Sequence, residues 1–252
     1  MVRGLDRFRA HFAGYEDRYA LIGGAAVDIL MDEAGLEFRA TKDLDIVLLI
    51  EALDEAFGRA VWEFVELGGY ENRCKSTGDA CFYRFHSPTD ASYPYMLEFF
   101  SRRPDGFVLP EDAHLTPLPL AEELSSLSAI LLDDAYYEFL RAETYRIDGL
   151  SLLGPERLIP LKMKAWLDLT ECREAGERVD GRDIKKHRND VVRLYQLIPT
   201  AARVELPPTI AEDVCRFLKV ALADFEPSAV KVKGVSAEDV RRALRDVYGA
   251  VV

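Results

Sequence analysis

Cysteine is scarce in this chain. The four present, Cys74, Cys81, Cys172 and Cys215, form no Cys-x-x-Cys pair, which fits reduced thiols better than a disulfide framework or a zinc site. The four histidines, His11, His86, His114 and His187, are equally scattered, so no zinc is expected. Long apolar runs are missing: none approaches the roughly 20 residues of a membrane span, and no membrane partner is expected. The opening Met1-Val2-Arg3-Gly4-Leu5-Asp6-Arg7 lacks the apolar core of a secretory signal, so a cytoplasmic protein is expected. There is no internal repeat and no low-complexity tract. Positive charge is in deficit, with 32 Lys and Arg against 44 Asp and Glu and a net charge of −12. That argues against nonspecific nucleic-acid binding over the whole surface, but it allows a local basic groove.

What the chain does have is apolar material. It has 252 residues, of which 49% are hydrophobic, enough for one large domain or two small ones. Residues 5–15 carry Leu5, Phe8, Phe12 and Tyr15 at helical spacing, and residues 53–67 repeat that pattern before Gly68-Gly69, read as a helix C-cap. Residues 19–22, 80–86, 93–100 and 127–132 read as strands, and residues 145–153 as a hairpin or edge strand. Residues 102–119 are rich in Pro, Asp and Gly and read as a long loop. From Gly154-Pro155-Glu156 onward the pattern is helical. The expected fold class is α+β: a small mixed β-sheet core flanked by helices over residues 1–155, then a helical region over residues 156–252.

The chain is organised around Thr41-Lys42-Asp43-Leu44-Asp45-Ile46-Val47-Leu48. Two aspartates one residue apart lead into a β-branched, apolar strand, and strand alternation puts Asp43 and Asp45 on one face. The pair fits either turn residues ahead of a strand or a site for a hard cation such as Mg²⁺ or Mn²⁺. Upstream, Tyr19-Ala20-Leu21-Ile22-Gly23-Gly24-Ala25-Ala26 reads as strand, glycine pair and helix. Such a turn lets backbone approach a phosphate, and the helix N-terminus favours the anion. Asp28 on that helix is read as a surface or capping side chain. Arg39 is read as either a phosphate contact or a solvated loop charge. Glu98 stands alone in the apolar run Tyr93-Pro94-Tyr95-Met96-Leu97-Glu98-Phe99-Phe100. It either points to solvent from an edge strand or faces a metal, because an unpaired buried carboxylate is costly.

Together, Gly23-Gly24, the helix, and Thr41-Lys42-Asp43-Leu44-Asp45 with its apolar strand resemble the nucleotidyltransferase superfamily of the DNA polymerase β type. Over the later stretches the chain looks most like the AbiEii/AbiGii toxin nucleotidyltransferases. The resemblance implies an enzyme that binds an NTP with Mg²⁺ or Mn²⁺ and moves an NMP to an acceptor hydroxyl. It implies Asp43, Asp45 and Glu98 as catalytic and metal-binding residues, and nucleotide contacts from Gly23, Gly24, Thr41 and Lys42. It also implies a lysine at the nucleotide site from the helix around residues 157–169, where Lys162 matches best and Lys164 is the spare. In the basic cluster of residues 180–194, Lys186 and Asp190 match the outer positions of a Lys-Asp-x-x-Asp-like motif, and His187 replaces its first Asp. A charged helix face explains the same cluster without any ligand. The toxin-like relatives imply the tRNA 3′ end as acceptor and an antitoxin protein as partner. An antibiotic adenylyltransferase of the aminoglycoside or lincosamide type, acting on a small molecule, is the enzymatic alternative. A catalytically inactive nucleotide-binding or interaction module is the alternative from outside enzymology.

Overall fold

The computed structural model describes residues 2–39, 41–71, 83–105, 115–118, 128–223 and 225–250. Two compact units divide the chain, Met1–Leu153 and Gly154–Val252. Cys74, Cys81, His114 and the first part of the strand expected over residues 80–86 lie outside the described residues.

The first unit is a mixed β-sheet with helices. In chain order its elements are α1 (Leu5–His11), β1 (Tyr19–Ile22), α2 (Gly23–Glu33), β2 (Asp43–Leu48), α3 (Glu55–Gly68), β3 (Arg84–His86), β4 (Met96–Ser101), β5 (Leu115–Pro117), β6 (Ser128–Leu131), α4 (Asp134–Arg141), β7 (Tyr145–Ile147) and β8 (Leu150–Leu152). The sheet runs β5-β6-β4-β2-β1-β8-β7, and β3 pairs with β4 off that path. β2 is flanked on both sides, antiparallel to β1 and parallel to β4.

Local chemistry explains most boundaries. α1 stops at His11, earlier than expected, because Gly14 at φ 89° turns the chain into a conformation no helix uses. Asp54 caps α3 by accepting from the Phe57 N–H at 2.8 Å, and Gly69 ends it in the left-handed region at φ 60°. The hairpin β7–β8 turns on Asp148 and Gly149, both at positive φ. One expectation needs correction: the stretch read as an unbroken loop over residues 102–119 contains β5, antiparallel to β6. A three-residue edge strand ending in proline leaves little periodic signal, and proline is tolerated at an edge because one face of the ladder needs no donor.

One face of the sheet is sealed by aromatics. Phe64 on α3 lies 4.8 Å from Tyr93 and 5.8 Å from Phe8, ring centre to ring centre. Trp62 meets Phe85 at 5.8 Å, and Phe85 meets Phe99 at 6.0 Å. At the far end of β2, the Tyr137 hydroxyl accepts from the Ile50 N–H at 2.8 Å and donates to Glu51 at 2.7 Å. Arg102 also donates to Glu51, at 3.0 Å. Tyr137 is fully buried, and burial together with the Glu51 carboxylate pushes its phenol well above the usual range. Tyr137→Phe strands the Ile50 N–H, and a loss of about 1–3 kcal/mol in urea unfolding of the full chain is expected.

The second unit is helical: α5 (Pro155–Glu174), α6 (Gly181–Leu194), α7 (Pro208–Val220) and α8 (Ala237–Tyr248). Gly154-Pro155 starts α5 with proline in its first turn. Ser236 and Asp239 close α8 with a reciprocal capping box. Among the described residues, no helix is long and apolar enough to cross a membrane. The charge is unevenly divided. The first unit holds 28 Asp and Glu against 14 Lys and Arg, the second 16 against 18.

Candidate functional site

The burial of β2 alternates at its start, with Asp43 and Asp45 half-buried around a fully buried Leu44. The two carboxylates therefore share one face while Leu44 and Ile46 enter the core. In register, Asp45 pairs with Glu98 on β4 and with Ile22 on β1, directly before the glycine turn. Paired residues on neighbouring strands face the same way, which gathers Asp43, Asp45 and Glu98 on one side of the sheet.

Gly23 begins α2 at φ 66°. A Cβ added there would lie 1.7 Å from Asp45 Oδ2. The turn and the acid pair are thus in direct contact, and only glycine leaves the carboxylate its place. At Gly24, an added Cβ would meet Thr41 Oγ1 at 3.0 Å and an Arg39 guanidinium nitrogen at 3.3 Å. A hydroxyl and a guanidinium thus stand beside the first turn of α2, where helix N–H groups and the macrodipole favour an anion. Lys42 lies close by in sequence, with its ammonium 3.8 Å from the centre of the Tyr95 ring.

Glu98 has a partner that the sequence reading did not anticipate. It neither sits on an edge strand nor stands free, because β4 lies between β2 and β6. Arg84, its register partner on β3, donates from Nε to Glu98 Oε1 at 2.7 Å, and its Nη2 reaches the same oxygen. Burial is the largest influence on Glu98 and raises its pKa; the Asp45 and Asp43 charges raise it further, while Arg84 pulls it down. A signal for Arg84 existed: Tyr83-Arg84-Phe85-His86 is a strand with one cation, and the next strand holds one anion. Their register was not readable.

Asp43 and Asp45 present hard oxygen donors on a face whose accumulated negative charge disfavours ionised Glu98, and a divalent cation relieves that situation. The donor set fits such an ion at the aspartate pair. Glu98 is engaged by Arg84, and among the described residues no group of three or more His, Cys, Asp and Glu side chains converges as a ready metal centre.

Other expected residues are described within their own elements. Asp28 is not on the surface: it is 8% exposed, because it shares the inward face of α2 with Gly24 and Met31, four residues before it and three after. Lys162, Lys186 and Asp190 belong to the second unit. Lys162 is 5% exposed and Asp190 fully buried. The lysine Nζ is 3.5 Å from Asp190 Oδ2, and Arg193 approaches Asp190 Oδ1 at 3.4 Å. Lys186, one turn before Asp190 on α6, is half-buried. Lys164 pairs with Asp168. In the basic cluster, Arg182 pairs with the helix-capping Asp180 at 2.7 Å, and the Arg188 guanidinium lies 4.8 Å from the Phe225 ring centre. Cys172 and Cys215 form no disulfide among the described residues, and both are half-buried.

No family model matches the chain, and no curated protein matches it.

Alanine at Gly23 must enter the left-handed region, at about 1–2 kcal/mol, and must displace Asp45 besides. A lower melting temperature and a weaker Mn²⁺ response are expected for Gly23→Ala. Gly24→Ala keeps ordinary helical backbone and meets only side-chain atoms, so its thermal shift should be the smaller of the two. Parallel melts with and without Mn²⁺ check both.

Proposed function

We propose that this chain is a metal-dependent nucleotidyltransferase of the DNA polymerase β type, moving an NMP from an NTP to an acceptor hydroxyl. The observation that carries the reading is the contact between the glycine turn and the acid pair: Gly23 has no room for a side chain because the Asp45 carboxylate is there. A phosphate cradle beside paired carboxylates is the combination that phosphoryl chemistry needs.

In this reading, the first N–H groups of α2 receive the phosphates, with Arg39 and Thr41 beside them. Asp43 and Asp45 hold the cation, which when bound supplies Lewis-acid polarisation of the phosphate and eases ionisation of the acceptor hydroxyl. Glu98 completes the acidic side of the site, either as a ligand or as the proton acceptor for that hydroxyl. Lys42 lies on the approach to the acid pair. Pyrophosphate leaves.

The acceptor follows from chemistry outside these residues. A tRNA 3′ end, with an antitoxin as protein partner, belongs to the AbiEii-like reading. The acidic excess of the first unit favours instead a cationic small acceptor, as for an antibiotic adenylyltransferase, because such a surface concentrates cations. Incubation of the full chain with each α-³²P NTP, Mg²⁺ or Mn²⁺, and either total tRNA or an aminoglycoside panel separates the two. Labelling of neither, or labelling that persists in an Asp43→Ala/Asp45→Ala protein, would remove the reading.

A further inference from the structure

Arg84 occupies the place where a third acidic ligand would otherwise be available. Its Nε and Nη2 both address one oxygen of Glu98, so the pair is one-sided and uses only Oε1. The two side chains differ in exposure, with Arg84 at 45% and Glu98 at 12%. The arginine therefore reaches the carboxylate from the solvent side and can withdraw without burying its charge. Its guanidinium already lies 5.7 Å from the centre of the Tyr83 ring, a contact that can be kept when the carboxylate is released. β3 itself has three residues and pairs with β4 through Arg84, Phe85 and His86, with His86 also bridged to Glu71. On the inner side, Glu98 faces the Asp45 and Asp43 charges, which disfavour its ionised form. A cation beside Glu98 offsets part of the repulsion among the three carboxylates on this face, and in the structure that cation is the Arg84 guanidinium.

We propose that Arg84 is an exchangeable counter-ion that closes the third ligand position: a divalent ion entering at Asp43 and Asp45 competes with it for Glu98, and Arg84 moves to Tyr83 and solvent as the ion binds. The inference rests on the acid pair being a cation site, and it adds that the site is gated by its own arginine. No covalent step is involved; a divalent cation replaces a singly charged guanidinium at Glu98. The consequence is a metal site that is weak until displacement occurs, and a protein in which one of the three carboxylates of the acidic face is paired without metal.

The test is Mn²⁺ binding to the full chain by electron paramagnetic resonance, with melting temperature recorded with and without Mn²⁺. Arg84→Gln removes the competitor and should tighten Mn²⁺ binding about tenfold, the scale of one like charge taken from a few ångströms away in a solvent-exposed setting. The Mn²⁺-induced rise in melting temperature should grow with it. Arg84→Lys keeps the charge and should stay within about threefold of the parent. Glu98→Gln should bind more weakly than the parent. Arg84→Gln with unchanged or weaker affinity overturns the gate, and so does Arg84→Lys as tight as Arg84→Gln. Undiminished Mn²⁺ binding in Asp43→Asn/Asp45→Asn overturns the site reading instead, and no Mn²⁺ binding in any of these proteins overturns both.

Discussion

Alanine at Asp43 and Asp45 together is expected to lower NTP-dependent labelling of the acceptor by about 10³-fold or more, with the melting temperature unchanged or slightly raised. The first half follows from the proposed chemistry. Removing the groups that place charge opposite the developing transition state is commonly worth several kcal/mol each. The second half follows from the geometry. Both side chains are half-buried on a face shared with Glu98, and without a cation they repel it. Deleting them removes that repulsion, and the neighbouring β2 residues that enter the core, Leu44 and Ile46, stay in place. A thermal melt at low salt, read beside the labelling assay, distinguishes loss of chemistry from loss of fold. A large fall in melting temperature would show that the pair is structural.

Asp190→Ala is expected to be among the most damaging single changes in the second unit, at about 3–5 kcal/mol. Its carboxylate stands between Lys162 and Arg193, and its side chain is fully buried. Without it, Lys162, whose side chain is 6% exposed, has lost this anion with little water to replace it. Lys162→Met is the milder change, since Arg193 still approaches Asp190 and the methionine fills similar volume. Combining the two should cost clearly less than the sum of the separate losses, because each change removes the reason the other hurts. Guanidinium unfolding of the full chain reads all three. Simple additivity would mean that the pair is not coupled. A mainly structural task for this pair gives a bland account of two residues that the resemblance implied for nucleotide contact.

Much of the first unit was legible in the linear order of residues. The alternation Asp43-Leu44-Asp45-Ile46 announced both a strand and a shared acidic face, because side-chain period alone separates the polar from the apolar set. Gly23-Gly24 between an apolar strand and a helical pattern announced the turn. Gly68-Gly69, following a helix, announced an end, and Gly69 takes the left-handed cap. What stayed hidden depends on pairing between distant segments. Arg84 and Glu98 were each visible, but only the antiparallel register of β3 on β4 makes them partners. Lys162 and Asp190 sit on different helices, so their contact has no periodic signature. Asp28 was read as a surface or capping side chain, although its helical spacing relative to Gly24 and Met31 already placed it inward.

The Leu21–Leu152 pairing of β1 with β8 has a consequence for a chain emerging from a ribosome. The strand that precedes the glycine turn is made well before its parallel neighbour, which lies far downstream. Until then β1 exposes an unsatisfied edge of Tyr19, Ala20, Leu21 and Ile22 on that side, all four of which are buried in the finished fold. Pairing over such a separation is slow because a long loop must close first. The nascent chain therefore carries an adhesive apolar ribbon until residue 152 is made, and early association with a chaperone, or aggregation when translation stalls before that point, is the expected consequence of this topology.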